Sequence, residues 1–93
     1  MKLVKIGALW CPACLIVNKS INKIKENYNI DIDEYDYDFD EDIVKDYNVG
    51  DTLPVLIFFN NNNEYKRLIG EVSYNEIENV VKEVMNSESK KNN

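Results

Sequence analysis

Residues 3–14 read Leu3-Val4-Lys5-Ile6-Gly7-Ala8-Leu9-Trp10-Cys11-Pro12-Ala13-Cys14, and the rest of the chain takes its meaning from them. Leu3 to Leu9 is apolar except for Lys5, the pattern of a strand covered on both faces. Cys11-Pro12 then marks a helix start. Proline suits the first helical turn, where its missing N–H has no partner to lose and its fixed φ is already helical. Cys11 falls at or near the N-cap, facing unpaired amide N–H groups and the positive end of the helix dipole. Cys14 lies one turn further in, in register with Val17, Ile21, Ile24 and Tyr28, a stripe that must face a core. The pattern predicts an exposed, attacking Cys11 and a shielded, resolving Cys14. Two sulfurs so spaced can close and reopen a small disulfide without large backbone movement.

Composition narrows the classes. Ninety-three residues with 44% hydrophobic and 30% charged side chains suit one globular domain. No apolar run is long enough to span a membrane, and no signal peptide is visible. Two cysteines cannot build a multi-bridge framework, which points to a reducing, cytoplasmic setting. A net charge of −6 argues against nucleic acid as a partner, and the absence of histidine excludes histidine-based catalysis. Structural zinc generally needs four ligands, and the cysteine pair has no second half-site in the chain, so no metal is expected.

Along the chain, a helix is predicted from about Pro12 to Tyr28. Ile30 to Phe39 alternates apolar with acidic residues, and its slip at Asp33-Glu34 suggests a bulge. Such acid density suits an edge strand, where charge discourages pairing with another chain. Asp40 is placed to N-cap a short helix through Tyr47, with Ile43, Val44 and Tyr47 inward. Val55 to Phe59 reads as a second buried strand. Asn60 to Asn63 reads as a four-residue turn tolerant of positive φ, after which Glu64 to Ile69 returns antiparallel. Ser73 and Glu76 form a capping box for a last helix that buries Ile77, Val80, Val81 and Val84. The domain is expected over residues 1–86, with 87–93 a polar, disordered tail. The element order is β-α-β-α-β-β-α, an α/β fold with a four-stranded mixed sheet flanked by helices. Right-handed crossovers are expected to make the first three strands parallel, with the hairpin adding an antiparallel edge. The cysteines then lie at the carboxyl end of the first strand, where open α/β sheets bind ligands.

Trp10-Cys11-x-x-Cys14 after one apolar strand, Leu53-Pro54 before another, and Ile69-Gly70 before a capped terminal helix together resemble the thioredoxin-like family over residues 3–85. The resemblance implies the thioredoxin fold in a minimal form, without the extra N-terminal strand and helix of full-length thioredoxins. It implies a cis Pro54 against the cysteines and a shallow groove of Trp10, Ala13, Leu53, Pro54 and Gly70 where a partner's backbone docks. Pro12-Ala13 is neither the Gly-Pro usual in thioredoxins nor the Pro-Tyr of glutaredoxins. The glutaredoxin Gly-Gly-x-x-Asp stretch and the basic residue before the cysteines are missing, which argues against glutathione. Lys5 stands where thioredoxins carry a buried acid, and Glu34 roughly where they carry a lysine. The expectation is a charge-swapped Lys5–Glu34 pair beneath Cys14, supporting it and tuning its proton together with Pro12; the alternative lets Lys5 reach solvent at the side of the strand.

These readings converge on a thiol–disulfide oxidoreductase that reduces protein disulfides, with Cys11 as nucleophile and Cys14 as resolving thiol. No bound cofactor is expected beyond the redox-active Cys11–Cys14 disulfide. The expected partners are disulfide-bearing proteins and an external reductase or thiol donor, with the protein itself a monomer. Two alternatives stand beside this reading: a glutaredoxin-like, glutathione-coupled reductase, and a non-catalytic binding module that kept the fold.

Overall fold

The computed structural model describes residues 1–91. The elements run β1 (Lys2–Gly7), α1 (Pro12–Asn27), β2 (Asp31–Asp36), α2 (Glu41–Asp46), β3 (Val55–Asn60), β4 (Asn63–Ile69) and α3 (Tyr74–Lys91). This is the expected order, with four strands in one mixed sheet arranged β2-β1-β3-β4.

One strand runs against expectation. β1 and β2 are parallel, joined by the α1 crossover, but β3 is antiparallel to β1 rather than parallel. The chain leaves β2 at the cysteine end of the sheet, and α2 with the segment after it stays there. The six residues of α2 rise only about 9 Å at ~1.5 Å each, against about 20 Å for a six-residue strand, and residues 47–54 do not carry the chain back to the far end. β3 therefore starts where β2 stopped, with Val55 opposite Ile6. Pro54 is thereby delivered beside the carboxyl end of β1.

The two faces of the sheet carry separate clusters. Leu3, Leu56 and Phe58 face α1 and α3, meeting Val17, Ile21, Ile24, Ile77, Val80, Val81 and Val84. Val4, Ile6, Val55 and Ile57 face the other way, toward Val44 of α2, and reach Ala8, Leu53 and both cysteines at the end of the sheet. This two-sidedness explains β2 without a bulge. β2 pairs with β1 in unbroken register from Lys2–Asp31 to Gly7–Asp36. Ile30 and Ile32 pack on the first cluster, and Tyr35 and Tyr37 on the second. The slip at Asp33-Glu34 is a change of buried face, as a side-chain period of two allows. A true bulge lies elsewhere, in the β3–β4 hairpin, where the register shifts between Phe58 and Phe59.

The hairpin turn is tighter than predicted. Only Asn61 and Asn62 lie outside the strands, both with positive φ (51° and 70°), the backbone a two-residue turn requires and asparagine tolerates. The capping box closes as expected: the Glu76 amide donates to Ser73 Oγ at 3.1 Å, and the Ser73 amide to Glu76 Oε1 at 3.4 Å. α1 and α3 are tied far from the cysteines by the Tyr28 hydroxyl, which donates to Glu78 Oε2 at 2.8 Å; the Tyr74 hydroxyl, on α3 itself, donates to the same oxygen at 3.0 Å. Those donors hold the Glu78 carboxyl below its ordinary range. α3 continues through Lys91, so residues 87–91 are helical rather than a disordered tail. Ser87 accepts a hydrogen bond from Asn60 Nδ2 at 2.8 Å, anchoring the helix past residue 86. Asn92 and Asn93, the end of the expected tail, lie outside the described residues.

α2 departs from its pattern in two details. Ile43 is exposed, leaving Val44 as the buried residue of the helix. Asp40 occupies the N-cap position but makes no side-chain cap there. Its carboxylate instead accepts from the Asp36 amide at 2.7 Å.

Candidate functional site

The site is built where β1 ends. Gly7 closes the strand, and the Cys11 amide donates to the Ala8 carbonyl at 3.2 Å, turning the chain into α1. Cys11 is the N-cap, extended at φ −98° and ψ 108°, with Pro12 opening the helix. The Cys14 amide donates to Cys11 Sγ at 3.2 Å. An N–H aimed at a sulfur favours negative charge on it. Both cysteines are free thiols.

Cys14 is shielded as expected, in one buried stripe with Val17, Ile21 and Ile24. Cys11 is not exposed; it keeps only 5% of its surface. The N-cap geometry that gives its sulfur an amide donor also turns the side chain back over the helix end, into the cluster with Ala8, Leu53 and Cys14. Burial, foremost, pushes the Cys14 thiol up to about 11, and contact with Cys11 adds to this. The Ala8 backbone and the Lys5 charge pull the other way.

Pro12 is exposed on the first turn, and Ala13 packs at the edge of the cysteine cluster. Leu53 and Pro54 are both buried, with Leu53 in contact with that cluster, and the Leu53–Pro54 peptide is cis. Gly70 has φ 88°, a conformation that favours glycine, and its amide donates to the Pro54 carbonyl at 2.8 Å. That bond ties the end of β4 to the loop before β3. Trp10 is 62% exposed, and beside it in sequence Leu9 is 79% exposed.

Trp10 has a partner that its own motif does not indicate. Its indole N–H donates to Asp38 Oδ2 at 2.6 Å. Asp38 is brought there by a compact turn. Asp36 Oδ1 accepts from the Asp38 and Phe39 amides at 2.8 and 2.9 Å, and the Tyr37 amide donates to the Gly7 carbonyl at 2.7 Å. Within an acid-rich run nothing distinguishes Asp38 in sequence. The spacing Asp36-x-Asp38, an aspartate bonding the backbone two residues on, is the one local signal. Phe39, which the alternation would bury, is 79% exposed beside this turn.

Beneath Cys14 lies a charged group. Lys5 is 8% exposed and is the one buried charged residue among those described. Its Nζ is 3.6 Å from Glu34 Oε1. Glu34 is its Cα partner across the β1–β2 ladder, so register alone sets the two side by side. The other Glu34 oxygen is 3.4 Å from Lys25 Nζ on α1, a contact absent from the sequence reading. Lys5, Glu34, Cys14 and Asn18 line one open cleft, where Asn18 Oδ1 is buried and has no hydrogen-bond donor among the described residues. No group of three or more metal-ligating side chains occurs among the described residues.

Residues 1–83 match the sequence family described as thioredoxin. No curated protein matches the sequence. Among solved structures, thioredoxin 1 of the thermophilic eubacterium Thermosipho africanus superimposes with a TM-score of 0.85 at 24% identity, over 96% of this chain and 99% of that one. A point-mutant thioredoxin of Halobacterium salinarum gives 0.83 at 17% identity, over 89% and 73% of the two chains. Thioredoxin-2 of the malaria parasite, described as a component of that parasite's protein secretion machinery, gives 0.82 at 25% identity, over 88% and 81%.

Proposed function

This chain belongs to the thioredoxin family, and from that membership we propose that it reduces protein disulfides through Cys11 and Cys14. Its mixed four-stranded sheet with three helices is the thioredoxin fold. No helix among the described residues is long and apolar enough to cross a membrane.

One observation carries the reading: the amide one turn into α1 donates to Cys11 Sγ, with Cys14 as the residue that supplies it. The sulfur with the amide donor is the attacking one. As a thiolate, Cys11 displaces one sulfur of a substrate disulfide and forms a mixed disulfide, while the displaced thiolate leaves and takes up a proton. Cys14 then attacks Cys11 Sγ. The second substrate sulfur departs as a thiolate, and the Cys11–Cys14 disulfide remains. The high affinity of Cys14 for its proton suits a resolving thiol, which stays silent until the mixed disulfide forms beside it.

Because Cys11 is buried, access depends on docking. Leu9 and Trp10 present an apolar surface next to it, and the hydrogen bond to Asp38 fixes the Trp10 ring. We place the docking groove along Trp10, Ala13, Leu53, Pro54 and Gly70. The protein acts as a cytoplasmic monomer with no bound cofactor, recharged by an external reductase or thiol donor.

The test is disulfide reduction of insulin driven by a dithiol. Wild-type protein accelerates it, Cys11→Ser abolishes the acceleration, and Cys14→Ser accumulates a mixed disulfide on Cys11. Equal rates with and without the wild-type protein sink the proposal. Equilibration in defined redox buffers then fixes direction. A potential near about −270 mV fits a reductant, and one above about −180 mV reverses the assigned flow.

A further inference from the structure

Lys5 takes no part in the disulfide exchange itself, yet it is the sole buried charged side chain among the described residues and lines the same cleft as the resolving cysteine. Its place is defined by Gly7. A Cβ at Gly7 would stand 3.2 Å from Cys14 Sγ and 3.7 Å from Lys5 Cε, so the thiol and the lysine stem both border the space left by the bare backbone of that residue. The ammonium beyond Cε is held by Glu34, whose second oxygen is held by Lys25. The three charges alternate in sign from the α1 surface inward and end beneath Cys14.

We infer that Lys5 is a positioning residue that stabilises the Cys14 thiolate during release of the substrate, with Glu34 and Lys25 holding it in place. This rests on the oxidoreductase reading of Cys11 and Cys14. In the mixed disulfide, Cys14 gives its proton to solvent in the cleft. Its electron pair forms the Cys14–Cys11 sulfur bond as the bond from Cys11 to the substrate sulfur breaks. The departing substrate thiolate takes a proton back, so charge and protons balance. An ammonium cannot accept the Cys14 proton. It lowers the cost of the anion left behind, by the attraction of opposite charges in a poorly solvated site.

The other charged and titratable groups at the cleft do not replace it. Glu34 is engaged by the two lysines. Asp36 and Asp40 also line the cleft, but the carboxylate of each accepts from backbone amides of its own turn. Tyr35 lines it too, and it packs on the second cluster. Lys5 is the only cation bordering the cleft among the described residues. Its pull on Cys14 opposes the effect of burial, which is the sense the inference requires.

Two measurements test this. In the first, the thiolate absorbance of Cys14 is titrated in a Cys11→Ser background with Lys5, Lys5→Met and Lys5→Arg. Lys5→Met should leave about tenfold less thiolate at a given pH, the low end of what one opposite charge does, and Lys5→Arg should restore it. In the second, Cys11 is loaded as a mixed disulfide with a chromogenic aromatic thiol, and its release is followed against pH. Lys5→Met should slow release about tenfold at neutral pH and converge on wild type where Cys14 is fully ionised. An unchanged titration, or slowing by the same factor at every pH, overturns the inference. Lys5→Gln serves if Lys5→Met does not fold. Failure of the wild type to release the thiol at any pH overturns the oxidoreductase reading instead, and the Cys14 titration still reports on Lys5 alone.

Discussion

The two faces of one sheet are built to different standards. The cluster toward α1 and α3 is hydrocarbon throughout, and none of its ten core members exceeds 3% exposure. The cluster toward α2 contains two thiols, and four of its members, Ala8, Cys11, Val44 and Leu53, retain 5–8% of their surface. The first is close-packed, with neighbours on every side. The second is open at the end where β1, α1 and the Pro54 loop converge. The contrast separates where the fold is held from where it is left accessible. Cohesion comes from the face with the long helices, and the cysteine pair sits on the margin of the other.

Equivalent deletions test that division most severely. Phe58→Ala removes the largest fully buried side chain, and by the usual scale for such cavities should cost about 3–5 kcal/mol in urea unfolding. Leu53→Ala, at the rim, should cost no more than about 2 kcal/mol, the low end for leucine, because partly exposed surroundings collapse into the space. Equal losses would erase the distinction between the clusters.

A second experiment isolates the thiol in the weaker cluster. Folding raises the Cys14 pKa from its ordinary 9.0 to about 11, so between those values the folded state binds more protons than the unfolded. Stability of the reduced protein is therefore full below pH 9 and falls as pH rises through about 11, by roughly 2–3 kcal/mol at ~1.36 kcal/mol per unit. The Cys11–Cys14 disulfide form lacks this titration. Denaturation of both redox forms at about pH 8 and about pH 11, on either side of the shift, should show the extra loss in the reduced form only; parallel losses would remove Cys14 as its source.

The smallest effect is expected at the exposed edge of the site. Asp38→Ala deletes the acceptor for Trp10, and an exposed hydrogen bond of this kind contributes only about 0.5–1.5 kcal/mol. Trp10 is the single tryptophan, so its fluorescence should change while the unfolding midpoint barely moves. A large drop in stability would show that the Trp10–Asp38 contact holds the second cluster together.

Much of this was legible in residue order. The Cys11-Pro12 helix start, the stripe from Cys14 to Ile24 and the Ser73–Glu76 box are local patterns, and local physics produced them. The pairing of Lys5 with Glu34 was also within reach, because register fixes it once two strands are adjacent. What escaped depended on length and direction. The antiparallel course of β3 depends on where the connection around the short α2 returns the chain, which periodicity does not report. The apparent bulge in β2 was a change of buried face, visible only when both faces are known to be covered. Burial of Cys11 depends on Leu53, and the Trp10–Asp38 bond on a turn distant in sequence. Such contacts belong to the assembled fold.

The near-complete enclosure of Cys11 has a further consequence. Cysteine damage climbs a ladder from sulfenic to sulfinic and sulfonic acid, and the upper rungs need repeated attack by oxidant on an accessible sulfur. In this chain a sulfenic acid on Cys11 would have a second thiol one helical turn away. Condensation with Cys14, releasing water, would return the pair to a reversible disulfide, while the burial of Cys11 leaves little sulfur surface for further oxidant.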